Sequence, residues 1–207
     1  MIRNLAHYLA KKIATGADRW EDVDYIRYGL EVTIGGFLKF LIVIIISLLF
    51  GVLKEMMTIT ISFALFRILT GGIHMSTYFK CLTTSTILFF IPAYVFKDIA
   101  VSNVPLLLLI FTSLFTLFVI FRYVPVESPN RPLSKKKQFR LKWTSSFFIF
   151  SWFIFAFIIS LNSHSFQYLA FFTSVGLLLQ AFTLTPIGIH FFLSIDQGLQ
   201  RKKGLEV

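Results

Sequence analysis

The sequence predicts an all-α fold: a polytopic membrane helix bundle of about six transmembrane segments, preceded by an amphipathic interfacial helix. Two observations carry this expectation. The 207 residues are 56% hydrophobic and 17% aromatic but only 14% charged, against about a quarter charged in soluble domains. The apolar residues also gather into runs about as long as a bilayer is thick, while Lys and Arg sit between them. Twenty Lys and Arg against ten Asp and Glu give a formal charge of +10. On a soluble domain that excess would suggest nucleic acid; confined to connecting segments, it reads as membrane orientation, and no nucleic-acid partner is expected.

At the start, Ile2, Leu5, Ala6, Leu9, Ala10 and Ile13 recur at helical spacing, with Arg3, Asn4, His7, Lys11 and Lys12 on the other side. Such a helix suits the surface of an anionic inner leaflet, or packing against the rest of the protein. It lacks the h-region and cleavage site of a signal peptide and is expected to be retained. Residues 19–27 are charged and read as a connector or short interfacial helix. Residues 28–50 form the first span, where Gly35 and Gly36 suggest close helix contact and Lys39 must snorkel or face protein. Residues 56–69 form a short second segment. Residues 81–96 form the third, kinked at Pro92, and residues 104–120 the fourth.

Residues 122–142 read as one long polar connection, with Pro125, Pro129 and Pro132 ahead of Lys135, Lys136, Lys137, Arg140 and Lys142. Residues 143–161 and 168–193 complete the set, the last broken by Pro186 and Gly188. The expected organisation is a single domain over 1–207, with an interfacial region at 1–27, a bundle at 28–195 and a tail at 196–207. Six spans place both termini, His74 and the Lys135 cluster on one side, leaving only Lys54 and Lys97 in the opposite turns. The lysine and arginine asymmetry makes the first side cytoplasmic. A four-span layout with two re-entrant segments also keeps both termini inside.

One stretch concentrates the polar chemistry. Arg67, Gly71, Gly72, His74 and Cys81 lie between two apolar segments, where such residues are costly near lipid. Cys81 is the only cysteine, so an intramolecular disulfide is impossible and the thiol serves either packing or chemistry. A histidine can take a thiol's proton and hold the ion pair. On one unbroken helix His74 and Cys81 would stand about 10 Å apart along the axis, too far for a hydrogen bond. The reactive reading therefore requires a break: Gly71 and Gly72 permit it, and Ser76 or Thr77 can cap a new helix. Cys81 then falls one or two turns from a helix N-terminus, where the dipole favours a negative sulfur. Arg67 is suited either to substrate or oxyanion positioning or to snorkelling. Neither metal-site nor Walker spacing appears, and no cofactor is expected.

The pattern Arg67, Gly71, Gly72, His74 and Cys81 resembles the AgrB family of accessory gene regulator peptidases. The likeness extends to the amphipathic start, to Tyr28, Gly29, Leu30 and Glu31 opening the first span, and to the proline-rich loop ahead of the basic cluster. It implies a membrane cysteine endopeptidase that processes an AgrD-like propeptide in quorum sensing of Gram-positive bacteria. His74 would be the general base and Cys81 the nucleophile, in a homodimer. The propeptide would be cut through an acyl thioester and cyclised to a thiolactone or lactone. Lys135, Lys136 and Lys137 could attract the acidic tail typical of such substrates, although topology alone explains a basic loop. A small transporter using His190, Gln180 and Lys39 is the alternative from another class, and a non-catalytic scaffold is a third.

Overall fold

A computed structural model describes residues 2–18, 20–72, 75–98, 106–126, 134–161 and 164–203. Its described elements are α1 (Ile2–Gly16), a 3-10 turn (Trp20–Asp22), α2 (Val23–Leu49), α3 (Leu53–Thr70), α4 (Tyr78–Phe96), α5 (Leu106–Tyr123), α6 (Lys135–Ser160), α7 (His164–Leu184) and α8 (Pro186–Lys203). The all-α expectation holds throughout these residues. Among the described residues, five helices are long and apolar enough to cross a membrane: Trp20–Leu49, Tyr78–Phe96, Leu106–Tyr123, Lys135–Ser160 and Phe166–Leu184. The chain is a multi-pass membrane protein. The second expected span, α3, is not among the five, because its 18 residues carry Lys54, Glu55 and Arg67.

The chain divides into two compact units, Met1–Leu49 and Phe50–Val207. In the first, α1 packs against α2. Ala6, Ala10 and Ala14 recur every four residues and are fully buried, whereas Leu5 and Ile13 are half exposed. The small side chains let the helices approach while the larger ones project outward, so one helix combines the packed and the outward-facing roles. Gly35 is buried, but a Cβ at Gly36 would meet open space.

The second unit centres on α7, which packs most extensively against α3. Gly176 makes that approach possible: a Cβ there would lie 2.0 Å from Ser62 Oγ and 2.6 Å from the Ile59 carbonyl oxygen. Around this crossing Phe66, Val119, Ile120, Ile149, Leu177, Ala181 and Leu184 form one buried cluster joining α3, α5, α6 and α7. Phe63 meets Phe89 edge-on at 4.9 Å and ties α4 to α3.

Several expected boundaries move. Helix α2 begins at Val23, inside the stretch expected as a connector or short interfacial helix, and Arg122 belongs to α5. The basic residues from Lys135 to Lys142 belong to α6 and not to an extended loop. Ser134 accepts from the amides of Lys137 and Gln138 at 2.9 and 3.0 Å through its carbonyl oxygen, and Lys142 Nζ donates to the Phe121 carbonyl at 2.6 Å. Lysine is a good helix former, so charge alone did not end the helix. The expected break in the last segment is complete, dividing α7 from α8 at Thr185. Thr185 Oγ1 accepts from the Gly188 amide at 3.1 Å, and Pro186 occupies the first helical position, where its missing N–H costs nothing.

Gly176→Leu should destabilise the second unit by about 1–3 kcal/mol, because steric overlap with a backbone carbonyl outweighs the helix-propensity gain of about 1 kcal/mol. The midpoint of thermal unfolding in detergent should fall; an unchanged midpoint would mean that the α3–α7 crossing is looser than described.

Candidate active site

The site begins where α3 stops. Helix ends leave backbone carbonyls without intrahelical partners, and here neighbouring elements satisfy them. The Gly71 amide donates to the Arg67 carbonyl at 2.9 Å, closing the last turn, and the Val126 amide donates to the Thr70 carbonyl at 3.1 Å. Gln180 of α7 is fully buried. Its Nε2 donates to Thr70 Oγ1 at 3.0 Å and to the Gly71 carbonyl at 2.9 Å. Gln180 Oε1 accepts from Thr183 Oγ1 at 3.1 Å and, more distantly, from an Arg67 guanidinium nitrogen at 3.4 Å.

Both glycines are required by conformation, and Gly71 also by close approach to backbone. Gly71 has φ +77°, and a Cβ there would stand 2.5 Å from the Val126 carbonyl oxygen. Gly72 has φ +147°, and its Cβ would meet a guanidinium nitrogen of Arg67 at 2.6 Å. Arg67 thus lies between the second glycine and the ring of Phe63, whose centroid is 5.8 Å from its guanidinium carbon. The structure brings Arg67, Gly71 and Gly72 together, as the sequence suggests, and binds them to Gln180, which the sequence offers only as a group of the transporter alternative.

After the reversal the chain enters α4 through Thr77. Its backbone is extended, at φ −130° and ψ 149°, and its hydroxyl accepts from the Lys80 amide at 3.4 Å. Of the two expected caps, Thr77 is the one used. Cys81 closes the first turn, its amide donating to the Thr77 carbonyl at 3.2 Å. The residue is partly buried, and Arg67 and Tyr78 both lie within electrostatic reach of it. Its carbonyl accepts a short hydrogen bond from Ser85. His74, the other half of the expected pair, lies outside the described residues.

Ser76 serves a different purpose from capping. Its amide and hydroxyl donate to the Asp196 carboxylate of α8 at 3.0 and 2.7 Å. Lys80 Nζ donates to the same carboxylate at 2.9 Å and to the Asp196 carbonyl at 2.6 Å. The Ser76 hydroxyl, with further help from Lys80, holds the Asp196 carboxyl below its ordinary value of 3.8. Its stabilising contribution is therefore complete above that value and lost as pH falls through the lower folded value, so the contact is fully ionised at neutral pH. Sequence reading missed Asp196. Its one visible signal is an acidic residue interrupting the apolar pattern of the last helix.

Lys135, Lys136 and Lys137 are exposed on the first turn of α6. Lys136, Lys137 and Arg140 line an open surface cavity of about 500 Å³ with Ser134, Leu141 and Thr144. Val126 pairs with Gly71 and Lys142 with Phe121, so this basic turn stands at the same end of the unit as the glycines. Among the described residues no group of His, Cys, Asp and Glu could hold a metal ion.

A putative AgrB-like protein of Listeria welshimeri is 30% identical over 125 residues, which is 58% of this chain and 60% of the relative. One from Listeria innocua is 28% identical over 120 residues, 56% of this chain and 57% of the relative. The chain therefore matches about three fifths of the length of these relatives. Accessory gene regulator protein B of Staphylococcus aureus is 27% identical over 189 residues, covering 87% of this chain and 96% of that protein. No solved structure matches. The family model for accessory gene regulator B matches residues 2–184, and the chain belongs to the AgrB family.

Proposed function

We propose that the protein is a membrane cysteine endopeptidase that removes the C-terminal tail of an AgrD-like propeptide and promotes cyclisation of what remains. Membership of the family ties the chain to the accessory gene regulator system; cleavage and ring closure are the finer reading. The carrying observation is the position of Cys81 at the end of the first turn of α4, with Arg67 in electrostatic reach. A helix N-terminus and a nearby guanidinium both supply positive potential to the negative charge that develops during attack on a carbonyl.

The chemistry follows in two exchanges. His74 takes the thiol proton, and Cys81 Sγ attacks the scissile carbonyl carbon. The C–N bond breaks, the leaving amine takes the proton from His74, and an acyl thioester remains on the enzyme. A cysteine or serine of the substrate then gives its proton to His74 and attacks that thioester. Cys81 leaves as thiolate and regains the proton, while the product departs as a thiolactone or lactone. Thioester exchange is nearly balanced in free energy, whereas hydrolysis discards the stored free energy. A site shielded from water and holding the second nucleophile close favours the ring.

Arg67 is well placed to pair with the developing oxyanion or with a substrate carboxylate. The cavity beside Lys136, Lys137 and Arg140 suits an acidic propeptide tail. The termini and the site face the cytoplasm in this reading, the amphipathic α1 rests on the anionic leaflet, and the enzyme works as a homodimer.

Cys81→Ser and His74→Ala should each lower propeptide cleavage by about a thousandfold or more while leaving the protein in the membrane, as scored on co-expressed tagged propeptide. Retained cleavage in either variant removes that residue from its role. Reconstituted enzyme should release mainly cyclic peptide, and a predominantly linear product by mass spectrometry would contradict water exclusion. Replacing Lys136, Lys137 and Arg140 together by Gln should raise KM for an acidic-tailed propeptide about tenfold with little change in kcat. An unchanged KM would return that charge to topology alone.

A further inference from the structure

We infer that Asp196 is a positioning residue for the Cys81 chemistry, acting through Ser76 and Lys80, so that α8 completes the active site. The inference rests on the peptidase reading above. The family model ends at Leu184, the last residue of α7, and Asp196 lies beyond it.

Three features carry it. First, the contacts converge on one short segment. Asp196 receives hydrogen bonds from Ser76 and Lys80, 120 and 116 positions away in the chain, and those residues flank Thr77, the cap on which the position of Cys81 depends. Ser76 follows His74 by two positions and Lys80 immediately precedes Cys81. Second, the residue is used completely. One carboxylate oxygen accepts from the Ser76 amide; the other accepts from the Ser76 hydroxyl and Lys80, and the backbone carbonyl accepts from Lys80 as well. Third, the pair is desolvated, its side chains being only 14% and 12% exposed. A buried ion pair is weak evidence for stability, because desolvation opposes the Coulombic gain, but its directionality can specify a geometry. Here it specifies the placement of Ser76 against the first turn of α4.

The chain ahead of α4 needs such a restraint. Gly71 and Gly72 adopt backbone conformations with little intrinsic preference for one course. The network at the end of α3 holds the chain as far as Gly72, and the Thr77 cap holds it from Tyr78 onward. Asp196 grips the interval between them at Ser76, and through Lys80 it joins that grip to the first turn of α4.

The test uses the full-length protein in nanodiscs, with cleavage kinetics and alkylation of Cys81 by iodoacetamide as readouts. In alkylation the sulfur displaces iodide, forming a C–S bond as the C–I bond breaks, with the thiol proton passing to solvent. Because Cys81 is the only cysteine, the label reports one site. Asp196→Ala should lower kcat at least tenfold, leave KM within threefold and slow alkylation at least fivefold across the whole population. Simple loosening of the fold would expose the thiol and speed its modification. Ser76→Thr, which keeps the hydroxyl, should stay near wild type, whereas Ser76→Ala should move as Asp196→Ala does. The Ser76 pair carries the test should Asp196→Ala fail to accumulate.

Wild-type kcat and alkylation in Asp196→Ala, or a rise in KM alone, overturns the inference. If His74→Ala slows alkylation and Asp196→Ala does not, the positioning role fails while the peptidase reading stands. If His74→Ala alters neither alkylation nor cleavage, both fail together.

Discussion

The buried amide of Gln180 is the constraint on which the site depends. A helix that ends inside a membrane protein leaves carbonyl groups that water cannot reach, each costing several kcal/mol if unpaired. Here α3 ends at a glycine that no longer continues the helix, and Gln180 supplies two donors to Thr70 and Gly71. Val126 supplies a third from the connection after α5. The reversal toward Cys81 is consequently fixed by two distant elements and not by local propensity. The close passage at Gly176 is what brings Gln180 within reach, since residues 176 and 180 share one face of α7. Packing of the helices and placement of the site are thus one structural problem.

Arg67 illustrates how a cation can remain within such surroundings. Phe63 offers its ring face, Gln180 an amide oxygen, and Gly72 the space that a side chain would have occupied. The guanidinium held in this way lies within electrostatic reach of Cys81.

The same groups weigh against a transporter built around His190, Gln180 and Lys39. Gln180 holds the end of α3 and accepts from Thr183, so using it to pass a solute would require dismantling the cap. His190 is exposed on α8, away from that buried pair. Gln180 acts as an interhelical hydrogen-bonding group, and its polar character is accounted for by the helix end it satisfies.

The parts of this arrangement legible in the sequence were those set by local chemistry. Paired glycines allow a reversal, a threonine caps a helix through the amide three residues on, and a proline suits the first position of a helix; Gly71, Gly72, Thr77 and Pro186 each behave accordingly, whereas Pro92 lies inside α4 without ending it. The α6 boundary was misread because a run of lysines resembles a connection by charge while favouring a helix by propensity. Asp196 was illegible for another reason. Its partners lie more than a hundred positions away, and nothing in the local pattern of α8 reveals whether its carboxylate faces solvent or protein. Local rules describe how a segment can bend; they do not state which distant side chain holds the bend. Cys81 and the glycines before it could therefore be picked out by reading along the chain, but the contacts that hold Ser76 and Lys80 emerge only when α8 is brought back to the start of α4.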